Sequence, residues 1–150
     1  CSTPVSAHDA AAYLSLPEAY LAKLFTQLEK AGVLRSAAGI DGGFTLARPA
    51  RRISVADVIA ALSGQKKFFV CSEVRRRCVL FDGDPPAWSI RGRCQIDAFM
   101  HEAQAHLQEF FATKSIADIA GEVAQKAPAK FLADTTKWFD GRQAGRRKKE

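Results

Sequence analysis

Three cysteines, Cys71, Cys78 and Cys94, are the residues of this chain best suited to chemistry, with six residues between the first two and fifteen between the last two. Thiolates are soft donors, so the group suits an iron-sulfur cluster, a zinc ion or a thiol-disulfide switch. A fourth ligand is available in His8, His101, Glu73 or Asp82, and Cys1 stands outside the group. Between two of the cysteines runs Arg75-Arg76-Arg77, which reads either as a solvated charge run or as a set of cations that lowers thiolate pKa values or draws phosphate. No hydrolase triad, phosphate-cradling loop or paired-carboxylate site is visible, so the chain is not expected to be an enzyme.

A second constellation lies upstream. Leu21, Leu24, Phe25 and Leu28 recur at i, i+3, i+4 and i+7, which predicts an amphipathic helix from Leu16 to Ala31. Ser15 and Glu18 have the spacing of a capping box, Pro17 suits the first turn, and Gly32 suits a left-handed C-terminal cap. Ser6 and Asp9 have the same box spacing and open a shorter helix from Ala7 to Leu14, with Ser15-Leu16 as the turn between the two. Two alternating runs, Val33 to Ser36 and Phe44 to Ala47, flank a turn holding Gly39, Gly42 and Gly43. Helix, tight turn, helix and Gly-tipped hairpin in that order describe a winged helix-turn-helix. Its second helix would present Glu18, Ala19, Tyr20, Ala22 and Lys23 to a major groove. The wing would touch the DNA backbone or minor groove through Arg35, Ser36, Gly42, Gly43 and Arg48. Tyr20 reads equally well as a core residue and Arg48 as a surface charge.

The elements that must position these groups follow from the remaining pattern. Ser54 and Asp57 box the start of a helix through Leu62, with Val55, Val58, Ile59 and Leu62 as its apolar stripe. Gln65 to Arg93 loses periodicity. A long helix beginning at Cys94 carries Ile96, Phe99, Met100, Ala103, Leu107, Phe110 and Phe111, a stripe wide enough to pack on another helix. Ser115 and Asp118 box a short helix to about Val123. Phe131, Leu132, Thr135, Trp138 and Phe139 share one face of a last helix, and the residues after Gly141 read as a disordered basic tail. The fold class is therefore mainly α with a small β wing. The divisions are 1–64 for the winged domain, 65–93 for a cysteine-containing sensor loop, 94–124 for a dimerisation helix and its short successor, and 125–150 for a C-terminal extension.

With 22 Lys and Arg against 16 Asp and Glu, the 150-residue chain carries a net charge of +6, which favours a polyanionic partner. The absence of any run of about eighteen apolar residues argues against a membrane span. With no targeting segment visible, the chain is expected to be cytoplasmic and its cysteines reduced. A winged-helix protein-interaction module or a thiol oxidoreductase is the rival reading from another class.

The sequence resembles the Rrf2 superfamily of bacterial winged helix-turn-helix regulators, of the IscR and NsrR type. The resemblance rests on Leu16 to Leu21, Leu28 to Ser36, Gly39 to Arg48, Ile53 to Ile59, the cysteine loop, the long helix and Ser115 to Ile119, and covers roughly residues 4 to 121. It implies a homodimer formed through the helix containing Ile96, Phe99, Met100, Ala103, Leu107 and Phe110, reading a palindromic operator in double-stranded DNA. It also implies that Cys71, Cys78 and Cys94 bind an iron-sulfur cluster, expected to hold two irons and two sulfides, that senses redox state, nitric oxide or iron. A repressor is expected. The family fold places a helix ahead of the helix-turn-helix, which here would lie before Cys1, so the chain is expected to be truncated. Val79 to Gly92 look like an insertion between the second and third cysteines, and a cysteine thiol switch or a zinc site on the same DNA-binding fold is the alternative to the cluster.

Overall fold

The computed structural model describes residues 3–39, 42–64 and 69–147. The chain forms two compact units, one made of residues 1–64 with 112–150 and the other of residues 65–111.

In the first unit α1 spans Ala7–Leu14 and α2 Glu18–Lys30. Ser6 caps α1 by accepting from the Asp9 N–H. The predicted box at Ser15 does not form. Ser15 is instead the C-terminal cap of α1, left-handed at φ 54°, with its N–H directed to the Ala11 and Ala12 carbonyls. An N-cap needs extended backbone, so the cap position of α2 falls to Pro17, which makes no side-chain cap. The helix is consequently two residues shorter than predicted at its start. At its end Gly32 takes φ 68° and bonds the Glu29 carbonyl, as a glycine beyond the last turn permits.

The hairpin pairs β1, Leu34–Ala37, with β2, Gly43–Leu46, in antiparallel register, Leu34 opposite Leu46 and Ser36 opposite Phe44. Val5 adds a bridge that the pattern did not announce, exchanging bonds of 3.0 and 2.8 Å with Phe44. The approach is close enough that a Cβ on Gly43 would lie 2.7 Å from the Val5 carbonyl carbon. The core collects Ala10 and Ala11 from α1, Leu21 from α2, Val33 before the hairpin and Ile53 after it, the last with no exposed surface.

Helix α3 spans Val55–Ser63 and α6 Ile116–Lys126, and each starts on a complete capping box, Ser54 with Asp57 and Ser115 with Asp118. The two caps are joined. Val55 N–H donates to the Lys114 carbonyl and Ile116 N–H to the Ile53 carbonyl, both at 2.9 Å, so a short antiparallel bridge fastens the start of α6 beside that of α3.

Helix α7 runs Ala129–Arg147, past the glycines where a disordered tail was expected. Its order has a physical source. Tyr13 of α1 packs its ring 5.3 Å from Trp138 and 5.1 Å from Phe139, and its hydroxyl lies 2.8 Å from Thr135 Oγ1. One turn further on, Arg142 stacks over Trp138 at 4.7 Å, and Arg146 pairs with the buried carboxylate of Asp9. Phe131 and Leu132, predicted on the same face, are 53% and 36% exposed, so the packed face begins at Thr135.

The second unit contains two single 3-10 turns, Val74–Arg76 and Val79–Phe81, the short α4, Ala87–Ile90, and the long α5, Gln95–Ala112. Phe81 meets Trp88 edge to face at 6.1 Å. Of the stripe on α5, Ile96, Phe99 and Phe110 are 64%, 68% and 66% exposed within this single chain.

Candidate nucleic-acid interface and thiol site

The exposed surface of α2 is built by elimination. Leu21 is buried, and Leu24, Phe25 and Leu28 are half-buried, which leaves Glu18, Ala19, Tyr20, Ala22 and Lys23 outward on the first two turns. Tyr20 is 53% exposed and is therefore no core residue. Glu18 is not free for a base edge, because His8 Nδ1 lies 2.8 Å from its carboxylate. Lys23 is exposed and among the described residues forms no ion pair, which makes it the cation of this face.

The wing residues divide by what already holds them. Arg35 Nε donates to Thr45 Oγ1 at 3.1 Å across the hairpin, leaving the rest of its exposed guanidinium outward. Ser36 N–H is taken by Glu29 at 3.2 Å while its hydroxyl side is exposed. Gly42 serves the turn itself, since a Cβ there would meet the Gly39 and Ala37 carbonyl oxygens at 2.6 and 2.7 Å. Gly43 makes its close approach to Val5 rather than to a partner. Arg48 lies 3.7 Å from Asp57, with both side chains partly exposed, and that carboxyl is held below its usual range chiefly by the Ser54 N–H. Ile40 and Asp41, at the wing tip, lie outside the described residues.

The thiol site belongs to the second unit. Cys71, Cys78 and Cys94 are all free thiols, with Cys71 and Cys94 half-buried and Cys78 exposed. Cys94 stands just before α5, and its carbonyl accepts the first bond of that helix from Ala98 at 2.9 Å. Cys71 Sγ lies 3.4 Å from the Glu73 N–H. Among the described residues no three ligating side chains stand close enough together to hold a metal ion. Of the fourth-ligand candidates, Glu73 is bound to Arg75 at 2.7 Å, His101 directs Nδ1 to the Asp97 carbonyl at 2.8 Å, and His8 is paired with Glu18. Asp82 is exposed, in a left-handed turn at φ 43°. Cys1 lies outside the described residues. The donor set itself, three free thiols within one unit, fits an iron-sulfur group by its chemistry.

Helix, left-handed turn, helix and two-stranded wing place the protein in the class of winged helix-turn-helix proteins. The chain matches the Rrf2 family, described as iron-dependent transcriptional regulators, over residues 2–122, and it belongs to that family. It is 29% identical over 104 residues to an HTH-type transcriptional regulator of Aquifex aeolicus, covering 69% of this chain and 67% of the relative. It is also 29% identical over 101 residues to the HTH-type transcriptional repressor NsrR of Streptomyces coelicolor, covering 67% of this chain and 61% of the repressor. Among solved structures, IscR of T. potens superposes with a TM-score of 0.56 at 27% identity, over 86% of this chain and 79% of that one. CymR, the global cysteine regulator of B. subtilis, shares the fold, with a TM-score of 0.55 at 23% identity over 79% of each chain. Members of the family are transcription regulators rather than enzymes. Among the described residues no helix is long and apolar enough to cross a membrane.

Proposed function

We propose that this chain acts as a homodimer that binds a palindromic operator and represses transcription, with its affinity set by an iron-sulfur cluster on Cys71, Cys78 and Cys94. The observation that carries the DNA-binding part is the outward face of α2 beside the wing. Its Lys23, with Arg35 across the hairpin, offers cations to phosphate or to a guanine edge, while Tyr20 supplies a hydroxyl to a phosphate. The exposed Ile96, Phe99 and Phe110 of α5 are the surface on which a second copy would pack, since three large apolar side chains in a row are unfavourable in water. Such a dimer would carry two α2 helices, one for each half-site of a palindrome.

A bound cluster would supply a redox-active group whose loss or oxidation alters the loop. The chain's own part is to hold it. Cys94 is positioned by the first turn of α5, so any change in its ligation acts directly on the helix proposed to join the two subunits. A second reading, in which oxidation of the thiols alone is the signal, rests on the same three free cysteines.

The test is a duplex-binding titration of purified protein at several salt concentrations, paired with iron, sulfide and visible-absorbance measurements on anaerobic protein. Affinity that falls with salt supports the DNA reading, because phosphate contacts release counterions. Visible charge-transfer bands that Cys71→Ala, Cys78→Ala and Cys94→Ala each abolish support the cluster. Colourless, iron-free protein whose operator affinity changes on thiol oxidation replaces the cluster by the thiol switch, and salt-independent or absent duplex binding overturns the whole reading.

A further inference from the structure

The arginine run between the cysteines is not uniform. Arg76 and Arg77 are exposed, whereas the Arg75 side chain is only 23% exposed. Arg75 Nε donates to Glu73 Oε1 at 2.7 Å, and its Nη1 donates to the Gly92 carbonyl at 3.2 Å, seventeen residues along the chain. Both partners adjoin a cysteine. The Glu73 N–H reaches Cys71 Sγ at 3.4 Å, and Gly92 lies two residues before Cys94. The backbone of Glu73 is held at φ 52°, a left-handed conformation that a residue with a Cβ adopts only when its surroundings fix it. The guanidinium is pushed above the ordinary arginine pKa, chiefly by the Glu73 hydrogen bond and against partial desolvation.

We propose that Arg75 is the positioning residue of the thiol loop, a clasp that joins the Cys71 arm to the Cys94 arm and presents those two thiols together. Cys78, exposed between them in sequence, stands outside the clasp. The assignment rests on the reading that the loop thiols are the sensing groups. It also depends on the side-chain type. A planar guanidinium donates in two directions at once, to a carboxylate and to a carbonyl, while a lysine ammonium is a compact charge that does not span the same fork.

The experiment uses the full chain, reduced and metal-free, treated with a short bis-maleimide, with the cross-linked cysteine pairs quantified by peptide mass spectrometry. Wild type is expected to favour the Cys71–Cys94 pair over either pair containing Cys78. Arg75→Ala and Arg75→Lys are both expected to lower that yield about fivefold, the effect of losing about one net hydrogen bond at a partly exposed site. Single-site alkylation of Cys78 and the helical circular dichroism should stay unchanged. Glu73→Gln, which keeps the arginine and weakens one arm of the clasp, should give an intermediate yield and provides a measurement if Arg75→Ala does not fold. Equal yields of the three pairs in wild type, or full rescue by Arg75→Lys, overturn the proposal, the latter because charge alone would then suffice. The sensing reading fails separately. Wild type that takes up no iron and sulfide and keeps its duplex affinity on thiol oxidation refutes that reading, whatever the cross-linking shows.

Discussion

Asp9 is a buried carboxylate on which α1 and α7 of the first unit converge. Its side chain is 5% exposed, at the first turn of α1, and it accepts from the Ser6 hydroxyl at 2.8 Å and from Arg146 of α7, with Arg142 4.0 Å away. Burial pushes its pKa up, but the Ser6 hydrogen bond and the two guanidiniums outweigh it, and the net result is below the ordinary carboxylate value of 3.8. Asp9→Asn preserves the volume while removing the charge that orders the last turns of α7. Breaking a fully buried pair costs about 3–5 kcal/mol, but Arg142 and Arg146 remain 44% and 31% exposed and can turn to water, so about 1–2 kcal/mol is the appropriate magnitude here. The pH dependence fixes the sign. A depressed carboxylate contributes its stability above the unfolded value, near pH 4, and loses it as the pH falls through the lower folded value. Urea unfolding of both proteins should therefore show a constant gap from pH 7 to about 5 that narrows below about pH 4. A gap that is already absent at pH 7, or one that widens in acid, would show that Asp9 is not held as an ionised partner of α7.

The other predictions test the elements around it. Lys23→Ala should weaken duplex binding and reduce the salt slope by about one, and an unchanged slope would remove Lys23 from the interface. Ser54→Ala takes away the hydroxyl that accepts the Asp57 N–H at 3.1 Å and should cost about 1 kcal/mol in urea unfolding. Gly43→Ala puts a methyl 2.7 Å from the Val5 backbone, so it should destabilise the first unit by about 1–3 kcal/mol, read as a lowered melting temperature. If Val5 is not bridged to Phe44, the loss will shrink toward the smaller cost of placing a side chain at φ 155°.

Most of the winged domain was legible because its signals are local. Ser54 with Asp57 and Ser115 with Asp118 form the boxes their spacing predicts, and α1 keeps its expected bounds at Ala7 and Leu14. Ser15 misled because the same residue satisfies two grammars. Three residues before a glutamate it resembles an N-cap, yet the tight turn required it to end α1 in the left-handed region, and one residue cannot do both. The missed contacts are long-range. Nothing near Val5 announces Phe44, nothing near Ile53 announces Ile116, and neither bond has a sequence period.

The C-terminal helix illustrates the same limit in energetic terms. From Gly141 on the chain offers two glycines, poor helix formers, and a run of basic residues that repel one another, so local reasoning gives a disordered tail. What reverses the balance is a single buried carboxylate 137 positions away. Arg142 and Arg146 are one helical turn apart and therefore face Asp9 together, so the repulsion that argued against order becomes shared attraction to one anion. Tyr13 contributes in the same direction, since its ring and hydroxyl engage Trp138, Phe139 and Thr135 only when those residues lie on consecutive turns. The thiol loop obeys the same logic on a smaller scale. Arg75-Arg76-Arg77 is a plain charge run in sequence, and the distinction among its members exists only once Glu73 and Gly92 are placed on either side of the first.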